Sequence, residues 1–274
     1  MRPVVRRIAQ ALANYDGEMQ TILTDGPGRA TAIARALAPD IDAVLIVGGD
    51  GTVCEVINGL IEKSRPFVIL RTGTENLLAR ELGMPTEPNE VARTLLRGKA
   101  RPLDLGVMNG RRFVAVTGVG FDAECVKRMT QVRRGHITHG DYFWPIWRTF
   151  WAHRYPELHI SADKTDVFRG RGFALIGAIA RYSAGMRILA RAKPDDGLLD
   201  LCIFPCENRV QMVAHAARVF ARRHIEARGM IYMQCRSVAI TSPNEVYVEI
   251  DGEYAGILPI FCEIEAAAVQ YLSL

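Results

Sequence analysis

Over the first hundred residues, helical and strand-like patterns alternate. Val4, Val5, Ile8 and Leu12 repeat at helical spacing, Met19 to Leu23 reads as a strand, and Ala30 to Ala38 as a helix. Asp42 to Val47 is a nearly continuous apolar run, as expected of a strand buried on both faces. Val53, Val56, Ile57, Leu60 and Ile61 then mark one face of a helix. Phe67 to Leu70 is a second buried strand, and Asn76 to Leu82 a helix stopped by Gly83 and Pro85. Such alternation predicts a parallel sheet covered by helices. From about Leu103 the pattern changes. Segments 105–108, 112–116, 158–162, 171–180, 199–204, 236–241 and 246–250 read as strands, with Asn109-Gly110 and Asp251-Gly252 as turns. Helices interrupt at about 121–132, 141–153 and 208–224. A β-rich second domain follows, with the boundary at 100–105.

Composition narrows the class. Of 274 residues, 49% are hydrophobic and 23% charged, which excludes intrinsic disorder. No apolar run approaches the roughly 18 residues that a spanning helix needs. The longest, Gly172 to Ala180, is closed by Arg181. Charges within the first stretch mark an amphipathic helix rather than a secretion signal. The net charge of +4 points to no partner. Six cysteines without a CxxC pair fit buried thiols in a reducing compartment.

Four motifs carry candidate chemistry. Gly48-Gly49-Asp50-Gly51-Thr52 follows a buried strand and opens a helix. Glycines there allow positive φ and close approach to a phosphate chain, and the helix start offers N–H groups. Asp50 is placed to hold Mg²⁺ or accept a proton; the plainer alternative is a tight turn with Asp50 as helix cap. The motif is neither a P-loop nor GxGxxG. Gly73-Thr74-Glu75-Asn76 repeats the strand–loop–helix arrangement, and two such loops on neighbouring parallel strands would face one crevice. Asp195-Asp196-Gly197-Leu198-Leu199-Asp200 sets hard oxygen ligands on a turn, against the alternative of a solvated turn. Asp251-Gly252-Glu253 is a hairpin tip with two carboxylates, either general-base candidates or an exposed turn.

Together, in this order, these motifs resemble the diacylglycerol kinase family of lipid kinases, including soluble bacterial members and the related sphingosine and ceramide kinases. The matching segments are 47–59, 73–83, Leu103-Asp-Leu-Gly106, Gly118-Val-Gly-Phe-Asp-Ala123, 195–200 and 251–253. The resemblance implies an α/β fold. An N-terminal open parallel-sheet α/β nucleotide domain, 1–103, is followed by a β-sandwich-rich C-terminal domain on the lipid side, 104–257. The tail, about 258–274, is free to pack back on the first, and catalysis lies in the cleft. By likeness, Thr24, Gly48, Gly49, Asp50, Gly51, Thr52, Gly73, Thr74 and Asn76 would serve ATP. Asp196, with the carbonyls of Lys193 and Leu198, would hold Mg²⁺, and Asp104 would sit near the catalytic Mg²⁺. Glu253 or Asp251 would be the base, with Asp50 the competing candidate.

The implied activity is ATP-dependent phosphorylation of a hydroxyl on a diacylglycerol-like or sphingoid-like lipid. The alternatives are an NAD kinase-like enzyme and a non-catalytic lipid- or nucleotide-binding protein. Three departures stand out. The chain opens on a helix where the family has a strand and an Asn-Pro-x-Ser/Ala-Gly loop, so either the start is set late or the strand is lost. Arg71 stands where Pro is common, able to reach phosphate or lie on the surface. Leu77-Leu78 and Ala190 also differ from the pattern.

A lipid kinase must meet an interface. All three Trp fall in Tyr142 to Trp151, near Lys127, Arg128, Arg133, Arg134, Arg148 and Arg154. The stretch 209–228 sets Arg209, Arg218, Arg222, Arg223 and Arg228 against Val210, Val213, Ala217 and Phe220. Contact with anionic headgroups is one reading. The plainer one buries the aromatics in the C-terminal core or the lipid pocket. His136 and His139 read as a loop rather than a metal site. The expected location is cytoplasmic, peripheral at the inner membrane face, with no nucleic-acid partner and no oligomeric state assigned.

Overall fold

The computed structural model describes residues 2–15, 17–62, 65–132 and 143–274. The chain divides into two compact units, Met1–Leu103 with Ala267–Leu274, and Asp104–Ala266.

The first unit carries α1 (Arg2–Ala13), α2 (Arg29–Arg35), β1 (Val44–Gly48), α3 (Asp50–Leu60), β2 (Phe67–Arg71), α4 (Leu77–Glu81) and α5 (Pro88–Arg97). β1 and β2 are parallel, with Val44 opposite Phe67 and Gly48 opposite Arg71. The end of the last strand, β13 (Ile260–Ser273), continues the sheet parallel to β2, with Tyr271 opposite Phe67. Phe67, Val68 and Ile69 are fully buried, as their unbroken apolar run requires. α2 and α3 cross closely because residue 59 is glycine: a Cβ there would lie 2.5 Å from Ala34 Cβ.

Two expectations for this unit change. Residues 19–23 form no strand; they are irregular, with Ile22 and Leu23 exposed. Among the described residues β1 pairs only with β2, so the short apolar stretch has joined no ladder. α2 ends at Arg35 rather than Ala38, since Pro39 disfavours helical geometry in the residue before it. The pattern reading also passed over α5, whose start is marked by Pro88 in its first turn.

In the second unit, β3 (Lys99–Met108), which begins in the first unit, turns through Asn109-Gly110 into β4 (Arg111–Phe113). Both turn residues have positive φ, 48° and 83°, the requirement of a two-residue hairpin. β5 (Val116–Val119), α6 (Phe121–Val132), β6 (Glu157–Ala162), β7 (Thr165–Gly177), β8 (Leu199–Pro205), β9 (Ile231–Cys235), β10 (Ser237–Thr241), β11 (Tyr247–Ile250) and β12 (Glu253–Ile257) follow. β7 pairs with β6 over its first half, and with β5 and β8 over its second. One strand thus belongs to two antiparallel sheets that curl around a common core. Gly172 sits at the changeover, where a Cβ would lie 2.4 Å from the Phe204 carbonyl. β8 shows the two-residue period: Leu201 and Ile203 face the core between the sheets, while Cys202 and Phe204 face a second cluster that includes Met212 and Val219 of α8 (Arg209–Phe220). The six cysteines are all free, five of them buried.

The expected strand 112–116 is broken after Phe113, because the N–H groups of Val114, Ala115 and Val116 bond to the Asp251 carboxylate. A larger correction concerns the tryptophans. On α7 (Phe143–Ala152), Pro145 and Thr149 are buried and Phe150 packs on the core, but Trp144, Trp147 and Trp151 are 65%, 46% and 51% exposed. The helix is anchored by its small and ring-constrained face, so the indoles do not fill the core. Arg133, Arg134, His136, His139 and Tyr142 lie outside the described residues.

Gly106 is covered by the fully buried Phe113 ring, and a Cβ there would lie 2.0 Å from Phe113 Cζ. Gly106→Ala is expected to cost about 1–3 kcal/mol through overpacking. Adding Phe113→Leu should recover part of that loss, so urea unfolding of the double variant should show less than the sum of the single losses.

Candidate active site

In the first unit the two glycine loops meet. β1 ends at Gly48, Gly49 caps α3 in an extended conformation, and Asp50 is its first helical residue. The Asp50 carboxylate does not cap its own helix. It reaches across to the start of α4, accepting from Asn76 N–H at 2.8 Å and Leu77 N–H at 2.6 Å. Burial raises its pKa, and these two backbone bonds oppose the rise. Asn76 is itself buried, in the left-handed region at φ 50°. Its side-chain carbonyl accepts from Gly73 N–H at 2.9 Å, and its amide donates to the Gly73 carbonyl at 2.6 Å. The Asn76 side chain therefore shapes its own loop.

Gly48, Gly49, Gly51 and Gly73 do not have positive φ, contrary to the expectation for this turn. Close approach accounts for Gly48 and Gly73, and makes Gly49 a tight position. A Cβ on Gly48 would lie 2.6 Å from Thr52 Cβ, on Gly73 2.6 Å from Gly49 Cα, and on Gly49 3.3 Å from Gly73 Cα. At Gly51 a Cβ would meet nothing within 4 Å, so no neighbour in the chain demands a glycine there. Thr74 is exposed and Thr52 half-buried. Thr24 lies in the exposed irregular segment before α2. Arg71 donates to the Met84 carbonyl, so the guanidinium is bound to the chain and half-buried. Glu55 was not singled out from the sequence. Its carboxylate accepts from Gly28 N–H at 2.8 Å and Ala30 N–H at 3.1 Å, fixing the start of α2.

Two further groups of candidates lie in the second unit. Asp104 is 2% exposed, and its carboxylate accepts from Gly197 N–H at 2.6 Å. Its own N–H donates to the Pro194 carbonyl at 2.8 Å. Asp104 and the turn carrying Lys193, Asp196 and Leu198 are thus brought together. Asp196 is exposed, with one oxygen accepting from Leu198 N–H at 3.1 Å and the other from the Gln234 amide at 3.3 Å. Asp200, buried, takes bonds from Tyr232 and Gln234 instead.

The second group is the β11–β12 hairpin. Asp251 and Gly252 form its two-residue turn, both with positive φ. The two carboxylates of this tip differ. Asp251 accepts three backbone bonds, from Val114 at 2.8 Å, Ala115 at 2.9 Å and Val116 at 3.1 Å. Glu253 points to solvent and pairs with Arg111 at 2.8 Å, the two side chains 62% and 51% exposed. The geometry makes Asp251 a clasp and leaves Glu253 accessible.

Beneath this hairpin lies a pair the motifs did not reveal. Glu249 is buried and Asp122 half-buried with its Oδ2 enclosed, and a Cβ on Gly118 would lie 2.5 Å from Asp122 Oδ2 and 2.9 Å from Glu249 Oε1. Tyr182 donates to the other Asp122 oxygen, and Gly252 N–H to Glu249 Oε2 at 2.7 Å. Burial pushes both carboxyls up, and the Asp122 charge adds to the rise of Glu249. An acid at an inward position of the otherwise apolar Tyr247–Ile250 strand was the signal available. Both groups hold protons more tightly folded than unfolded. Stability should therefore fall as pH rises from the ordinary carboxylate range, about 4, through the raised values. Glu249→Gln should flatten that fall, measured by urea midpoints across a pH series.

A family model described as the diacylglycerol kinase catalytic domain matches residues 1–108, and one described as the YegS C-terminal NAD kinase beta sandwich-like domain matches residues 115–273. A Bacillus subtilis diacylglycerol kinase is 29% identical over 262 residues, covering 93% of this chain and 86% of the relative. A diacylglycerol kinase of Mycobacterium tuberculosis is 28% identical over 246 residues, covering 88% and 79%. A crystal structure of a diacylglycerol kinase from Bacillus anthracis superposes with a TM-score of 0.73 at 20% identity, covering 100% of this chain and 91% of that one, a likeness of fold. With one domain model covering more than half its length and the other most of the remainder, the chain belongs to the diacylglycerol kinase-like family of lipid kinases.

Proposed function

We propose that the protein transfers the γ-phosphoryl group of ATP to a hydroxyl of a diacylglycerol-like lipid, with Mg²⁺ as the divalent ion. The carrying observation is the meeting of the two glycine loops across Asp50. Phosphoryl transfer asks a protein mainly to position groups and neutralise charge. The start of α3 offers N–H groups for phosphate oxygens, and the open space at Gly51 gives them access. In this reading the unit Met1–Leu103 with Ala267–Leu274 holds the nucleotide through residues 48–52, Gly73 and Thr74, with Thr24 as a further contact, while Asn76 shapes the loop. The unit Asp104–Ala266 is the lipid side.

In this reading Asp196 and the carbonyls of Lys193 and Leu198 would supply an all-oxygen donor set with one exposed carboxylate. That suits Mg²⁺, which keeps several waters, better than an all-protein cage. Among the described residues no cluster of three or more His, Cys, Asp or Glu is placed to hold a metal ion. When bound, Mg²⁺ neutralises phosphate charge. Asp104 holds the turn that presents these donors.

Glu253 is the base in this scheme. It takes the proton of the lipid hydroxyl as that oxygen bonds to the γ-phosphorus. The bond from the γ-phosphorus to the β–γ bridging oxygen breaks, and ADP leaves. Arg111 steadies Glu253, while Asp251 fixes the hairpin.

Radiolabelled ATP offered with diacylglycerol, monoacylglycerol, ceramide, sphingosine and NAD should label diacylglycerol; label in NAD alone would overturn the reading. Glu253→Gln is expected to lower kcat by about 10²–10⁴-fold with ATP binding intact. Near-normal turnover would remove Glu253 as the base. Gly51→Val fills open space, so it should leave the melting temperature nearly unchanged and raise the KM for ATP, read from initial rates across ATP concentrations.

A further inference from the structure

The acidic pair under the β11–β12 hairpin has one oxygen unanswered on each side. Asp122 stands in the first turn of α6, and Glu249 on β11 lies opposite Gly118 of β5. Each carboxyl has one oxygen satisfied: Tyr182 donates its O–H to Asp122 Oδ1, and Gly252 its N–H to Glu249 Oε2 at 2.7 Å. The other two, Asp122 Oδ2 and Glu249 Oε1, are enclosed and, among the described residues, receive no N–H or O–H. Both border the space that a Gly118 side chain would fill, 2.5 Å and 2.9 Å from where its Cβ would lie.

Two ionised carboxylates enclosed side by side repel, because no water screens them. A single proton removes the repulsion: it makes one carboxyl a donor and leaves the other an acceptor. Asp122 already takes the Tyr182 hydroxyl, so the negative charge is better held there and the proton rests on Glu249. The neighbouring groups favour the same arrangement. Burial and the two carboxyls push the Tyr182 phenol well up, so it keeps its own proton. Burial, with the Asp122 charge added, pushes the Cys125 thiol of α6 up to about 12. The Asp251 charge favours a protonated Glu249. The other charged groups of the first turns of α6 are engaged elsewhere. Glu124 meets His153 at 2.9 Å, and the Lys127 ammonium lies 3.5 Å from the ring centroid of Tyr247 and 5.1 Å from that of Tyr254.

Protonated Glu249 is then a link with two ends. Its O–H answers Asp122, and its other oxygen holds Gly252, the residue between Asp251 and Glu253. Loss of the proton sets two anions against each other and drives Glu249 from its seat, with Gly252 attached. We infer that Glu249, through one proton shared with Asp122, is the positioning residue that sets the hairpin tip and with it the Glu253 carboxylate. The inference deepens the phosphoryl-transfer reading and rests on it for what the tip does; the shared proton and its hold on Gly252 do not depend on that reading.

Glu249→Gln is the informative variant, because the amide copies the protonated acid: its NH₂ donates to Asp122 and its oxygen accepts from Gly252. In the wild type kcat should fall at the alkaline end, within the range where circular dichroism shows the fold intact, at constant KM for ATP. Glu249→Gln should carry kcat across that range without the fall. Glu249→Leu offers neither bond and should lower kcat by about 10–100-fold at every pH. A residue that only supported the fold would change the melting temperature of these variants and leave the pH profile of kcat alone. An alkaline fall in Glu249→Gln matching the wild type would overturn the inference, as would wild-type kcat in a folded Glu249→Leu. The proton is also read without turnover. A carboxylic-acid C=O stretch in the infrared spectrum at neutral pH should vanish in Glu249→Gln, and its absence from the wild type would overturn the inference. The Gly252 amide, followed by NMR, should lose protection from exchange at alkaline pH in the wild type and keep it in Glu249→Gln. If both signals behave so and no lipid is labelled, the phosphoryl-transfer reading fails and the hold of Glu249 on the tip stands.

Discussion

The first unit's candidate site depends on one desolvated carboxylate. Asp50 leaves water to hold the backbone of a neighbouring loop, and that cost is offset by charge-assisted bonds to Asn76 and Leu77. The bond does more than cap α4. Because α3 begins at Asp50 itself, the starts of two helices are drawn together, and the approach is close enough that Gly73 can carry no side chain without moving the backbone of Gly49. Removing the carboxylate would leave two buried N–H groups without an acceptor and the two loops without their tie.

The same economy operates in the second unit, where acidic residues two apart do different work. Asp251 spends its charge on three consecutive N–H groups and so ends one strand and starts another. Glu253, across the turn, keeps its charge at the surface beside Arg111. Between them, Gly252 sends its N–H down to Glu249, linking the tip to the buried Asp122 pair. The hairpin is thus held from two sides, and the proposed base sits on a rigid support.

Much of this was legible in the sequence because period and punctuation are local. The runs at 44–48 and 67–71, and the Asn-Gly and Asp-Gly turns, needed no tertiary information. The meeting of the glycine loops followed from two strand–loop–helix units on adjacent parallel strands. What failed to show was what depends on partners. Residues 19–23 have a strand's composition but no ladder to join. Of the two readings open for the α7 indoles, the plainer one placed them in the core because large aromatics usually are, yet the helix is seated by Pro145 and Thr149. The roles of Glu55, Asp122 and Glu249 arise from contacts between residues 25 to more than 100 positions apart, which no spacing rule records.

β7 carries a last consequence. A strand that serves one sheet with its first half and another with its second is a shared seam. Neither layer can be peeled away without pulling on the pairing of the other, so the β-rich unit is built to lose its order as a whole. That mechanical interdependence protects the Asp251 tip from piecemeal fraying, since β11 is hydrogen-bonded to β5, itself a neighbour of the seam.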